Sequence, residues 1–80
     1  MSEKRDLVQL FKNVASRVDK RDFPNVTREA KISELGIDSL SVMQIIGELE
    51  TELGIVIPDE DLVEMVTVGD LVKHIERQTR

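Results

Sequence analysis

Leu35-Gly36-Ile37-Asp38-Ser39-Leu40 is the stretch from which the rest of the chain is read, because here a loop closes and a long amphipathic helix begins. Gly36 offers a turn position free of the Cβ penalty. Asp38 is a favoured N-cap type whose carboxylate accepts from the first free backbone N–H groups, and an apolar pattern with helical spacing then runs to Leu53. Ser39 therefore falls in the first turn of a helix over 39–53. A helix N-terminus gathers unpaired N–H groups and the positive end of the helix dipole, so a hydroxyl there is well placed to bear a phosphate. An Asp-Ser pair that only caps a helix, worth about 1 kcal/mol, has the same local sequence. Two features of the surrounding chain argue for more.

The first is how this helix spends its apolar residues. At about 100° per residue, Val42, Ile45, Ile46, Leu49 and Leu53 share one narrow sector, the core face, whereas Leu40, Met43 and Gly47 lie opposite. A helix serving only its own core has no use for Leu and Met beside the serine, and Met suits adaptable contacts. The stripe reads as a partner-docking surface. The second feature is charge. Residues 32–72 hold ten acids (Glu34, Asp38, Glu48, Glu50, Glu52, Asp59, Glu60, Asp61, Glu64, Asp70) and no Lys, Arg or His. Residues 1–31 carry eight Lys/Arg against five Asp/Glu, and residues 73–80 carry three against one, within a net charge of −5. A one-signed block of this length draws positively charged protein partners toward the region around Ser39.

Working outward, residues 6–19 read as a first helix with Leu7, Phe11, Val14 and Val18 on one face, Leu10 and Ala15 in support, and Lys12 and Arg17 outside. From Asp19 to Ser33 the pattern breaks at Phe23-Pro24-Asn25, giving a connection long enough to need packing down. Phe23, Val26, Ile32 and Leu35 are the candidates to pin it, with Thr27 capping a single turn through Ala30. After Gly54, Ile55-Val56-Ile57 is β-prone without a partner strand, hence a connection whose apolar side chains close the core. Pro58 ends it, and Asp59 is expected to cap a short helix over 59–65 with Leu62 and Val63 or Met65 turned inward. Thr67-x-x-Asp70 has the form of a capping box with Asp in place of Glu, opening a last helix over 68–78 with Val68, Leu71, Val72 and Ile75 on its core face. Lys73, His74, Arg77 and Arg80 suit the negative end of that helix. The expected fold is all-α: a small four-helix bundle of three longer helices and one short, with a long loop between helices 1 and 2, the whole of 1–80 forming one domain.

Composition excludes several classes. At 80 residues a core supports only about 4–12 kcal/mol of stability and leaves no room for a large enclosed active site. There is no Cys, so neither a disulfide framework nor a zinc–cysteine site is available, and any thiol in use comes from a cofactor. The net negative charge and the lack of Trp and Tyr argue against nucleic acid. Met-Ser-Glu-Lys-Arg-Asp at the start lacks an apolar signal region and no apolar run reaches membrane-spanning length, which points to a cytoplasmic protein without a membrane partner. Asp59-Glu60-Asp61 lacks the order of a calcium loop, and acids in a first helical turn are explained by the dipole, so no metal site is expected. His74, the one histidine, stands far along the chain from Ser39 without a second His or a Cys, and reads as a surface residue; no catalytic constellation emerges. The reading is of a protein that is not an enzyme.

Leu35-Gly36-Ile37-Asp38-Ser39-Leu40, then Leu49-Glu50-Thr51-Glu52-Leu53-Gly54, then Ile57-Pro58-Asp59-Glu60-Asp61-Leu62 resembles the acyl carrier proteins of fatty-acid and polyketide synthesis, and the likeness runs from about residue 6 to residue 78. The resemblance implies that Ser39 is esterified through a phosphate to 4′-phosphopantetheine, whose thiol holds an acyl group as a thioester. Asp38 matches the aspartate that helps place Mg²⁺ while a phosphopantetheinyl transferase attaches the arm. It further implies acyltransferase- and ketosynthase-type partners with basic docking surfaces, meeting Leu40, Met43, Gly47, Glu48, Glu50, Asp59, Glu60 and Asp61. A monomer that begins at Met1 and stops two residues past its last helix looks like a discrete carrier.

Three positions depart from the fatty-acid-synthase pattern. The residue after Asp-Ser-Leu is often acidic there and is Ser41 here; a later glutamate is Gln44; a frequent Met is Gly47. A partner that comes close to the helix and does not read carboxylates at 41 and 44 favours a polyketide or other specialised pathway over general fatty-acid synthesis. A peptidyl or aminoacyl carrier shares the architecture, but its motif more often reads Gly-Gly-His/Asp-Ser, and Gly36-Ile37-Asp38 favours the acyl type. An acidic helical adaptor that never bears an arm is the remaining alternative; it would survive loss of the Ser39 hydroxyl.

Overall fold

A computed structural model of the protein describes residues 6–79. Four α-helices are present among them: α1 (Leu7–Asp19), α2 (Ser39–Leu53), α3 (Asp59–Leu62) and α4 (Val68–Thr79), with one 3₁₀ turn at Ile32–Glu34 between α1 and α2. Each long helix starts where a short polar side chain takes over orphan N–H groups. Asp6 accepts from the Gln9 N–H at the head of α1, and Asp38 from the Ser41 N–H at the head of α2. At α4 the exchange is reciprocal: the Asp70 N–H donates to Thr67 Oγ1 at 3.1 Å, while Asp70 Oδ2 accepts from the N–H groups of Thr67 and Val66. Arg80 lies outside the described residues.

The apolar stripes then close on one another. α1 packs on α2 and against α4, and Phe11, Val14, Ala15, Ile45, Ile46, Leu49, Val68, Leu71, Val72 and Ile75 make a core with no buried polar or charged side chain among the described residues. Val18, Val42 and Leu53, expected in the core, sit half-buried at its rim.

Three expectations need correction. The third helix is a single turn, Asp59–Leu62, and does not run to residue 65; beyond it Glu64 and Met65 donate to Asp61 and Leu62 in tighter i→i−3 turns, and the Val66 N–H is drawn off to Asp70. Nor does Asp59 cap that turn: it is its first helical residue, behind Pro58. Val56 faces solvent, 70 % exposed, while Ile57 is buried and Ile55 half-buried, because side chains of an extended run alternate between faces.

The long connection is held down by more than its apolar residues. Phe23, Val26 and Ile37 are buried, and Ile32 and Leu35 pack on the core. Residues 28–32 also run alongside residues 66–69: the Gly69 N–H donates to Arg28 O at 2.8 Å, the Val68 N–H to Ala30 O at 2.9 Å, and the Ile32 N–H to Val66 O at 2.9 Å. Loop carbonyls thus satisfy first-turn donors of α4, which would otherwise be unpaired. The approach is so close that a Cβ on Gly69 would stand 2.9 Å from Arg28 O. Thr27 contributes only its backbone, its carbonyl accepting from the Ala30 N–H. None of the helices is long and apolar enough to cross a membrane.

Candidate functional site

The head of α2 presents its serine outward. Ser39 is the first helical residue and is exposed. Behind it Asp38, in extended conformation, accepts from the Ser41 N–H through Oδ1 at 2.8 Å, and its own carbonyl accepts from the Val42 N–H. With Oδ1 committed to the cap, Oδ2 is the oxygen left for a ligand. The turn before it needs the left-handed backbone that Gly36 supplies at φ +75°, and the burial of Ile37 anchors it. The result is a hydroxyl on a rigid helix, at the end where N–H groups and the dipole favour an anion. Those features fit a phosphodiester-linked group.

Around the serine the expected docking residues divide. Leu40 is 73 % exposed and Met43 46 %, on the face away from the core. Gly47 lies further along: nothing stands within 4 Å of where its Cβ would be, and it borders an open groove of about 410 Å³ with Val18, Gln44, Glu48 and Thr51. Glu48 is exposed but faces Arg17 of α1 at 3.3 Å, with Glu52 3.9 Å from the same guanidinium. Glu50 is half-buried, and its Oε2 accepts from the Ile57 N–H at 2.7 Å; its carboxylate is turned to the chain itself. Asp59 and Glu60 are exposed on α3. Asp61 lies 3.7 Å from His74 Nε2, and His74 is half-buried instead of on the open surface, with Gln78 Nε2 3.0 Å away. Val63 and Val66, 81 % and 53 % exposed, follow α3 with the same apolar character as Leu40.

Arg21 is the residue that sequence reasoning passed over. Its Nη2 donates to the carbonyls of Leu35 and Gly36 at 3.0 and 2.8 Å, its Nε to Asp19 at 2.6 Å, and the guanidinium lies 4.6 Å over the Phe23 ring. An arginine in a charged loop carries no signal of such contacts; only the aromatic two positions on hinted at one.

Fold and site together define a small helical protein that holds out one serine hydroxyl from a capped helix, beside an apolar and acidic surface. A family model described as "phosphopantetheine attachment site" matches residues 6–75. An acyl carrier protein of Thermotoga maritima is 35 % identical over 79 residues, 98 % of each chain; one of Helicobacter acinonychis is 42 % identical over 71 residues, 84 % of this chain and 91 % of its own; one of an Exiguobacterium species is 39 % identical over 77 residues, 95 % and 96 %. The chain belongs to the acyl carrier protein family. It carries phosphopantetheine and is not itself a catalyst, and its dealings are with a phosphopantetheinyl transferase and with synthase enzymes in general.

Proposed function

We propose that Ser39 is the attachment point and that the chain works in the cytoplasm as a discrete carrier for polyketide or other specialised-metabolite synthesis. The observation that carries the attachment reading is an exposed serine hydroxyl at the first position of α2, capped by Asp38, in a chain of the phosphopantetheine-attachment family. The arm, when bound, supplies the thiol that holds an acyl group as a thioester. The chain's own part is to present and orient. Asp38 holds the first turn of α2 through Oδ1, and its carboxylate would help place Mg²⁺ during attachment. Leu40, Met43 and the open shelf at Gly47 meet the partner's apolar surface, while Asp59 and Glu60, more than the internally engaged Glu48 and Asp61, meet its cationic rim. Glu50, spent on the Ile57 N–H, contributes through the fold. Support for a specialised pathway comes from Ser41 and Gln44, which put no carboxylate in the turns after Ser39, and from Gly47, which leaves the middle of α2 open. Fatty-acid synthesis is the second reading; the relatives, named acyl carrier proteins without a pathway, are compatible with either.

The deciding experiment is intact-protein mass before and after incubation with coenzyme A, Mg²⁺ and a broad-specificity phosphopantetheinyl transferase, with Ser39→Ala in parallel. A gain of one phosphopantetheine on the parent and none on the variant is the expected result. A folded parent that gains nothing sinks the carrier reading and leaves an interaction-only adaptor. Offering the loaded protein to a fatty-acid ketosynthase and to a polyketide ketosynthase then separates the two pathways.

A further inference from the structure

We propose that Arg21 is a positioning residue for the modification of Ser39, a role that rests on Ser39 being the attachment point. Residues 35–38 hand the chain into α2, and the angle at which they do so sets where the hydroxyl points. On the far side this hand-over is fixed by the Asp38 cap and the Val42 N–H to Asp38 O bond. On the near side the carbonyls of Leu35 and Gly36 belong to no helix, and a single Arg21 Nη2 binds both. That nitrogen is itself held. Asp19, the last residue of α1, takes Nε at 2.6 Å, and the guanidinium lies over the ring of Phe23, which is 7 % exposed. Charge-assisted bonds of this kind are stronger than neutral ones, and the planar fork reaches them with little further loss of freedom. Gly36 completes the fit: a Cβ there would stand 3.1 Å from Arg21 Nη2. The clamp therefore ties the attachment loop to the end of α1, the helix against which α2 packs.

Two consequences follow from the geometry. Without the clamp the loop samples other hand-over angles, so the fraction of molecules presenting Ser39 correctly falls. An enzyme that needs that fraction sees a weaker apparent affinity in proportion, while the step after binding is unaffected. Arg21 thus acts on the KM of attachment and leaves kcat alone.

The test uses the full chain with coenzyme A and a phosphopantetheinyl transferase, followed by mass, at varied carrier concentration. Arg21→Met keeps a stem over Phe23 and removes every donor; Arg21→Lys restores one point donor; Asp19→Asn loosens the guanidinium without touching the loop. Expected is a KM about five- to tenfold higher for Arg21→Met with kcat within about twofold, a partial return with Lys, and a smaller rise for Asp19→Asn, which keeps the proposal testable should the Met variant fold poorly. Amide hydrogen exchange is expected to quicken over residues 36–41 and not in α1 or α4. Equal KM values for folded parent and variant, or exchange quickened throughout the chain, overturn the proposal. A parent that accepts no arm overturns the attachment reading and this inference with it, whereas equal modification of parent and variant overturns this inference alone.

Discussion

Two glycines of this chain have opposite reasons to be glycine. Gly69, in the first turn of α4, has its N–H on Arg28 O, and a Cβ there would stand 2.9 Å from that same carbonyl, a backbone atom that cannot swing aside. Gly69→Ala is expected to cost about 1–3 kcal/mol, the range of overpacking in a tight site, and to loosen residues 28–32; chemical denaturation and exchange of the Gly69 amide measure both. Gly47 has no such neighbour. In the middle of α2 it only forfeits helix propensity, so Gly47→Ala should raise stability by about 0.5–1 kcal/mol. If Gly47 is retained as the shelf on which a partner lies, the more stable variant should turn over more slowly with that partner. Identical kinetics would show that the glycine there is drift.

At the scale of elements, the start of α4 depends on the ionised state of Asp70. The N–H groups of Thr67 and Val66 both donate to its carboxylate and hold its pKa below the ordinary 3.8. A folded value below the unfolded one means that the ionised form stabilises the fold: the contribution is complete above the ordinary value and is lost as pH falls through the depressed one. The gap in denaturation midpoint between the parent and Asp70→Asn should hold steady from neutral pH down to about the ordinary carboxylate value, then close under more acid conditions. A gap that stays open there would mean that shape, not charge, makes the cap. This box was legible in Thr67-x-x-Asp70, as α2 was in Asp38 and the spacing of Ile45, Ile46 and Leu49, because caps and apolar periods are local to the sequence. What was not legible is set by contacts between distant segments. The alignment of residues 28–32 with 66–69 is made by backbone groups, which every residue carries. The single turn of α3 gives way to i→i−3 turns at Glu64 and Met65, and Arg21 meets the carbonyls of Leu35 and Gly36 only once the chain has folded.

For the whole molecule the distribution of free charge matters more than its total of −5. The acids of α2 are largely engaged within the chain: Glu48 and Glu52 face Arg17, and Glu50 holds the Ile57 N–H. Surface pairs like those of Arg17 are worth about 0–1 kcal/mol, so they add little stability, but they do set a positive charge against the carboxylates a partner would otherwise meet. Among the described residues the acids of α3 have no such neighbour except for Asp61 beside His74. Docking is therefore expected to draw its electrostatic part from Asp59 and Glu60 and its contact area from Leu40 and Met43. Exposed charges are screened over about 8 Å at physiological ionic strength, and steering by them acts mainly on association rates. The double variant Asp59→Asn/Glu60→Gln should raise KM for a transferase or synthase partner at low salt and flatten its salt dependence, with stability nearly unchanged. Glu50→Ala should do the reverse, costing about 1–2 kcal/mol by stranding the part-buried Ile57 N–H while leaving partner kinetics intact at temperatures where it stays folded. Were Glu50→Ala instead to flatten the salt dependence, its carboxylate would have to leave Ile57 on docking, and α2 would be read as an acidic helix after all.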